Sequence, residues 1–233
     1  MKLAHNKKTI LLKITGQALK IESGTIDTTL LKNIINQIKL LSHKYYFNIV
    51  IGGGNILRGA QVNNISTISA HYAGMLATMI NGLIIQDLFH QFGIKSYLLS
   101  AIECKLGLSI SVENIFKAKA ESACMIFVCG TGMPYFTSDT NAVLRALEIE
   151  ADELWKGTKV DGIYDKDPKI DKDAKLLKEV TYDYLINNNL KIMDLSAYVL
   201  AKEHNLKIKV SNIFNKDALI ETANNIDYAS TII

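Results

Sequence analysis

The sequence predicts an α/β fold built on parallel strands, and three observations carry that reading. Apolar runs at 9–16, 48–52 and 125–128 are too continuous for strands that bury only one face. Segments with apolar residues three and four apart lie between them, as helices crossing from strand to strand would. Two of the apolar runs then end in glycine-rich loops, and the carboxyl ends of parallel strands are where such sheets hold ligands.

The first strand, Thr9–Gly16, is interrupted near its end by Lys13. A lysine there either lays its stem along the sheet with its head in water or reaches an anion. Residues 27–44 follow as an amphipathic helix on Leu30, Leu31, Ile34, Ile35, Ile38 and Leu41, with Asp27 suited to cap its start. The strand 48–52 completes a β-α-β unit and runs into Gly52-Gly53-Gly54-Asn55-Ile56-Leu57-Arg58-Gly59. Three glycines leave backbone amides uncovered and free to take positive φ, so the chain can wrap an anion. Arg58 could then hold phosphate oxygens in bidentate fashion. Neither the G-x-x-x-x-G-K-[ST] loop nor a G-x-G-x-x-G opening a helix is present.

Met75, Leu76, Met79, Ile80, Leu83, Ile84 and Leu88 predict a helix over 70–90 that is buried or pairs with a partner, its surface thinned at Gly74 and Gly82. Its methionines read as core. Residues 95–99 read as a strand, and 112–120 as a helix or an irregular connection. The strand 125–128 leads into Gly130-Thr131-Gly132-Met133-Pro134-Tyr135-Phe136-Thr137-Ser138-Asp139, ahead of a helix on Ala142, Val143, Ala146, Leu147 and Ile149. Thr137 or Ser138 would cap that helix, whose free N-terminus attracts phosphate, while Asp139 is most simply a complement to the helix dipole. A short strand at 153–156, a charged solvated loop through Asp173, a helical pattern over 190–204 and a strand at 208–210 complete the order.

Composition sets the outer limits. With 233 residues, 48% hydrophobic and 21% charged, the chain reads as a soluble globular protein of one large domain or two closely joined ones. Its net charge of +3 is scattered, which argues against a nucleic-acid or membrane patch and agrees with a small anionic substrate. No signal peptide is evident and no uninterrupted apolar segment approaches membrane-spanning length, so the expected location is the cytoplasm. Cys104, Cys124 and Cys129 form no C-x-x-C and read as buried or free thiols; the odd spacing of Cys124 and Cys129 along a strand predicts opposite faces.

Six segments in order resemble the amino acid kinase superfamily, most closely its bacterial members that phosphorylate UMP. They are Leu11–Gly16, Ile51–Gly59, Gly74–Leu83, Gly130–Asp139, Lys159–Tyr164 with Asp167-Pro168, and Met193-Asp194-Leu195. The resemblance implies a three-layer α/β/α sandwich with a mostly parallel central sheet, formed as one domain over 1–233. Its acceptor-binding part would be mainly N-terminal, and the part for the donor nucleoside mainly about 140–233. It implies transfer of the γ-phosphoryl group of ATP to UMP with Mg2+, in a homo-oligomer, a hexamer as in those relatives. By the same resemblance the catalytic residues are Lys13, Arg58, Asp139 and Asp194. ATP would be held by Lys13, Ile14, Thr15, Gly16, Gly54 and Arg58, with Thr158, Tyr164 and Asp167 bordering its nucleoside. UMP would be held by Gly53, His71, Thr131, Gly132, Met133, Pro134, Tyr135, Phe136, Thr137 and Ser138; the metal ligands are left unassigned. This chain departs from the family's pattern at three places. His71 replaces an acid that contacts ribose, Met133 replaces an Asn, and the segment Lys20–Thr25, tied to GTP activation in relatives, is short. Two other readings remain: a family member that phosphorylates a carboxylate or carbamate, and a non-catalytic nucleotide-binding regulator.

Overall fold

The computed structural model describes residues 7–22, 25–57, 64–168, 170–225 and 227–233. Strand β1 (Lys8–Ile14) is followed by a short hairpin of β2 (Lys20–Glu22) and β3 (Thr25–Asp27), then helix α1 (Thr29–Leu41) and β4 (Tyr45–Ile51). Helix α2 (Thr67–Gln91), β5 (Ser96–Ser100), β6 (Leu108–Ser109), α3 (Val112–Ala120), β7 (Cys124–Val128) and α4 (Ser138–Glu148) make the middle of the chain. The remainder comprises β8 (Glu153–Thr158), β9 (Ile163–Tyr164), β10 (Leu176–Leu177), β11 (Glu179–Val180), α5 (Tyr182–Asn187), α6 (Leu195–Glu203), β12 (Ile208–Asn212), α7 (Ala218–Asn224) and β13 (Ser230–Ile232).

Nine strands form one sheet in the order β11-β13-β12-β8-β1-β4-β7-β5-β6. All neighbours pair in parallel except β12 and β13. Because successive side chains alternate, the sheet feeds two cores. One joins Ile10, Leu12, Ile14 and Trp155 to α1, α2 and Leu219 of α7; the other joins Leu11, Val50, Phe127 and Leu154 to α3, α4, α5 and α6. The result is a three-layer α/β/α sandwich with a mostly parallel central sheet, as the sequence predicts.

Of the residues its periodicity singles out, helix α1 buries Leu31, Ile34, Ile35, Ile38 and Leu41 and partly buries Leu30. Asp27 Oδ1 accepts the Thr29 amide at 2.8 Å, so it serves the helix start from one position before the N-cap, Thr28. Residues 112–120 are helical, with the Ser111 hydroxyl accepting the Asn114 amide. Three expectations change. Cys124 and Cys129 share one core, because the strand ends at Val128 and Cys129, at φ 61°, breaks the alternation. The charged stretch after β8 contains a hairpin, β9 with β10, fastened where Ser230 Oγ accepts the Ile163 amide at 2.8 Å and donates to the Leu177 carbonyl at 2.6 Å. In length and composition α2 does meet the measure of a membrane-crossing helix. His71, Thr78 and Asn81 interrupt its apolar run, but Asp87 is its one residue of full charge. In the fold it packs across β7, β5 and β4.

Candidate active site

The site grows from the carboxyl ends of β1, β4, β7 and β8. Parallel register sets Lys13 of β1 beside Lys156 of β8, and both side chains enter the core layer that holds α4. There the two ammonium groups meet one oxygen of Asp139, in the first turn of α4: Lys13 Nζ lies 3.0 Å and Lys156 Nζ 2.6 Å from Oδ1. Lys13 therefore reaches an anion rather than water. Asp139 does more than complement the helix dipole, since it joins two strands to the helix. Burial pushes the Asp139 carboxyl up, but the two lysines outweigh it and hold the group below its ordinary value. Burial and the neighbouring Lys13 charge pull Lys156 down to about 8, against the opposing attraction of Asp139 and Asp194. Two cations crowded onto one carboxylate oxygen repel each other at the mouth of the sheet, and an anionic ligand beside them would be stabilised.

Lys156 was not among the sequence candidates. The parallel register of β1 with β8 is what brings it opposite Lys13.

Thr137 caps α4, its hydroxyl accepting the Asp139 amide at 3.0 Å. Asp194 caps α6 through the Ala197 amide at 2.9 Å, and also accepts hydrogen bonds from the Thr137 hydroxyl and, at 2.7 Å, from the Thr140 hydroxyl. Both of its oxygens are engaged, so in this structure it braces the second glycine loop and the α4 start rather than presenting a bare carboxylate.

The first glycine loop behaves differently from the expectation. Gly52 and Gly53 do not take positive φ; close approach is what requires them. A Cβ at Gly53 would stand 2.8 Å from the Gly74 carbonyl oxygen of α2, and one at Gly16 would stand 2.5 Å from the Gly52 carbonyl oxygen. Positive φ belongs to the second loop, at Gly130 (58°) and Gly132 (79°), with Cys129 and Tyr135 (72°) also left-handed.

Between the two loops, α2 and the start of α4 lies a cavity of about 320 Å³, within the usual size of small-molecule sites. Gly53, His71, Thr131, Phe136, Thr137 and Ser138 of the anticipated acceptor residues line it, joined by Gly54. Gly132, Met133, Pro134 and Tyr135 do not line it. The Tyr135 ring instead meets His71, with centroids 5.2 Å apart, while Met133 is exposed and its amide and carbonyl bond the Thr131 hydroxyl. Thr78, Met75 and Asn141 line the cavity without having been anticipated. Of the donor-side residues, Ile14 is fully buried and Thr15 and Gly16 form the turn after β1. Thr158 ends β8 with its hydroxyl on Val160, Tyr164 lies in β9, and Asp167 follows that strand, all outside the cavity. Arg58 lies outside the described residues.

Residues 8–212 match the model of the amino acid kinase family. The chain is 42% identical over 232 residues to the uridylate kinase of Mycoplasma genitalium, covering 96% of each chain. It is 40% identical over 220 residues to that of Ureaplasma parvum, covering 92% of this chain and 94% of the relative. Among solved structures, UMP kinase from Ureaplasma parvum superposes with a TM-score of 0.93 at 37% identity, over 97% of this chain and 98% of that one. UMP kinase from Bacillus anthracis does so with 0.90 at 27% identity, over 97% and 95%. The chain belongs to the amino acid kinase family.

Proposed function

We propose that this chain is a UMP kinase, transferring the γ-phosphoryl group of ATP to UMP to give UDP and ADP. The observation that carries the reading is the pair of lysines on one carboxylate oxygen, beside a cavity walled by two glycine loops. The acceptor is itself a phosphate and needs no strong base, so catalysis rests on alignment and on neutralising charge in the transferring group. Lys13 and Lys156 supply that charge, with Arg58 as a further cation. Asp139 orients the lysines, and Asp194 steadies Thr137 and Thr140.

UMP occupies the cavity, its phosphate toward Gly53 and the α4 start, with His71 on the wall. ATP lies with its phosphates along Lys13, Gly16 and Gly54 and its nucleoside near Thr158, Tyr164 and Asp167. This division gives an acceptor part that is mainly N-terminal and a donor-nucleoside part mainly in 140–233 of a single domain. Mg2+ would neutralise the nucleotide phosphates. Such an ion ordinarily keeps most of its waters, and Asp139 and Asp194 are the carboxylates we expect to face its hydration shell.

An exposed apolar stripe on α2, formed by Ile68, Tyr72, Leu76, Ile80 and Leu83, supports a homo-oligomer, with a hexamer as the specific form. A cytoplasmic location accords with a soluble nucleotide kinase. ADP release measured with UMP, CMP, dUMP, aspartate and carbamate tests the function. UMP should give the highest kcat/KM; absent turnover with UMP, or faster turnover with aspartate or carbamate, would overturn it.

A further inference from the structure

We propose that Thr78 and Asn81 of α2 are positioning residues that fix the two glycine loops relative to each other, and so align acceptor with donor. The proposal rests on the UMP kinase reading for the identity of the two substrates. Three residues apart on a helix, the two side chains share one face, and both are buried, to 7% and 0% exposure. A core-facing turn of helix ordinarily carries aliphatic residues, whereas here each polar side chain grips a different loop.

Thr78 takes the second loop. Its hydroxyl accepts the Cys129 amide at 2.7 Å while donating to the Met75 carbonyl at 2.7 Å, so its proton and an acceptor lone pair are both used. Cys129 and Gly130 are left-handed in succession, at φ 61° and 58°, at the point where β7 turns into the loop. A non-glycine residue in that conformation is strained and persists only where its surroundings hold it. The Thr78 bond to the Cys129 amide supplies that hold from α2.

Asn81 takes the first loop. Its amide nitrogen donates to the Gly52 carbonyl at 2.8 Å and to Asn55 Oδ1 at 2.7 Å, and its oxygen accepts from Asn55 Nδ2 at 3.0 Å. Asn55 Oδ1 in turn sits only 2.7 Å from where a Cβ at Gly16 would stand, which carries the contact to the turn after β1. Gly53 approaches α2 between Gly74 and Thr78, ahead of the Asn81 grip. Two turns of α2, from Gly74 to Asn81, thus meet all three segments assigned to substrate phosphates. In-line transfer needs reacting atoms about 3–3.5 Å apart, so the separation of these loops bears directly on rate.

The test compares Thr78→Val, Thr78→Ser and Asn55→Ala in the full chain, with KM for UMP, KM for ATP, kcat and thermal unfolding read for each. Wild-type turnover with UMP is established first; its absence would refute the function rather than this proposal. Thr78→Val should raise KM for UMP about tenfold with KM for ATP within about twofold of wild type, and Thr78→Ser should restore it. Asn55→Ala leaves α2 intact and removes the loop's half of the second grip, so kcat should fall about tenfold at a temperature well below unfolding. A structural role alone would lower the unfolding temperature and the folded fraction without changing either KM. Unchanged KM values in Thr78→Val, or wild-type kcat in Asn55→Ala, would overturn the proposal. If Thr78→Val does not fold, Asn55→Ala decides by itself.

Discussion

Two clusters of buried charge sit at opposite ends of the same strands. At the amino end of β8, Glu153 has a partner for each oxygen: Lys8 Nζ at 3.0 Å on Oε1, and the Trp155 indole N–H at 2.7 Å and Lys209 Nζ at 3.6 Å on Oε2. Trp155 is packed edge-on against Tyr45 and Phe47, with centroids 5.4 and 5.5 Å away. Burial raises the Glu153 carboxyl, but the Trp155 bond and the lysines carry it below its ordinary value. At the carboxyl end, three residues on, Lys156 and Lys13 divide a single oxygen of Asp139 and one of them is pulled down to about 8. Each cluster sets two lysines against one carboxylate, but the first spreads them over both oxygens of Glu153, with Lys8 largely exposed, and holds the sheet together. The second presses both lysines onto a single oxygen and pulls Lys156 down, an arrangement that a bound polyphosphate would relieve.

The largest effect that sharpens this contrast is expected from Lys13→Ala. If the carboxyl-end lysines stabilise the transferring group, kcat should fall by about a hundredfold or more, each tenfold step being about 1.4 kcal/mol, with the fold intact by circular dichroism. Near-wild-type turnover would place Lys13 outside the chemistry.

Next in size is the pH response. For the free enzyme, kcat/KM should decline above about pH 8 as Lys156 loses its proton, and Lys156→Arg, which stays charged, should move that limb to higher pH. The sign for stability is opposite. With a folded value of about 8 against an ordinary 10.5, the unfolded chain holds more protons between those values, so this group makes stability rise with pH across that window. Urea unfolding of wild type and Lys156→Met at pH 7.5 and 9.5 checks it; an unchanged slope in the variant would contradict the assignment.

The smallest effect concerns His71, on the cavity wall against Tyr135. An imidazole offers a ribose hydroxyl one neutral acceptor nitrogen where a carboxylate offers two charged oxygens, so His71→Asp should change KM for UMP by about a few-fold. An unchanged KM would remove His71 from the substrate.

Much of this architecture was legible because it is written in local patterns. The alternation of buried strands and amphipathic helices marks β1, α1, β4, α2, β7 and α4, and Lys13 stands out as a lone charge in an apolar run. Lys156 did not, because Glu153-Leu154-Trp155-Lys156 begins and ends with a charge and reads as a short strand of its own. Only the register with Lys13 shows the two as a pair. Asp194 was legible as a residue of interest, but its double grip on Thr137 and Thr140 spans more than fifty residues and has no local trace. Helices α5 and α7 and strand β13 are 6, 7 and 3 residues long, too short for periodicity to decide without the sheet they pack on. In sequence the glycines of the first loop suggest conformational freedom, whereas closeness to Gly16 explains Gly52 and closeness to α2 explains Gly53, a fact of tertiary packing.

The most direct test sets the two clusters against each other, measuring kcat and urea-unfolding free energy for Lys156→Met and Glu153→Gln. The account predicts a crossing. Lys156→Met should lose about a hundredfold in kcat with stability unchanged or raised, because a desolvated cation has been removed. Glu153→Gln should lose about 1–2 kcal/mol of stability and keep kcat within about twofold. Full activity in Lys156→Met, or a loss of activity in Glu153→Gln as large as that of Lys156→Met, would contradict it.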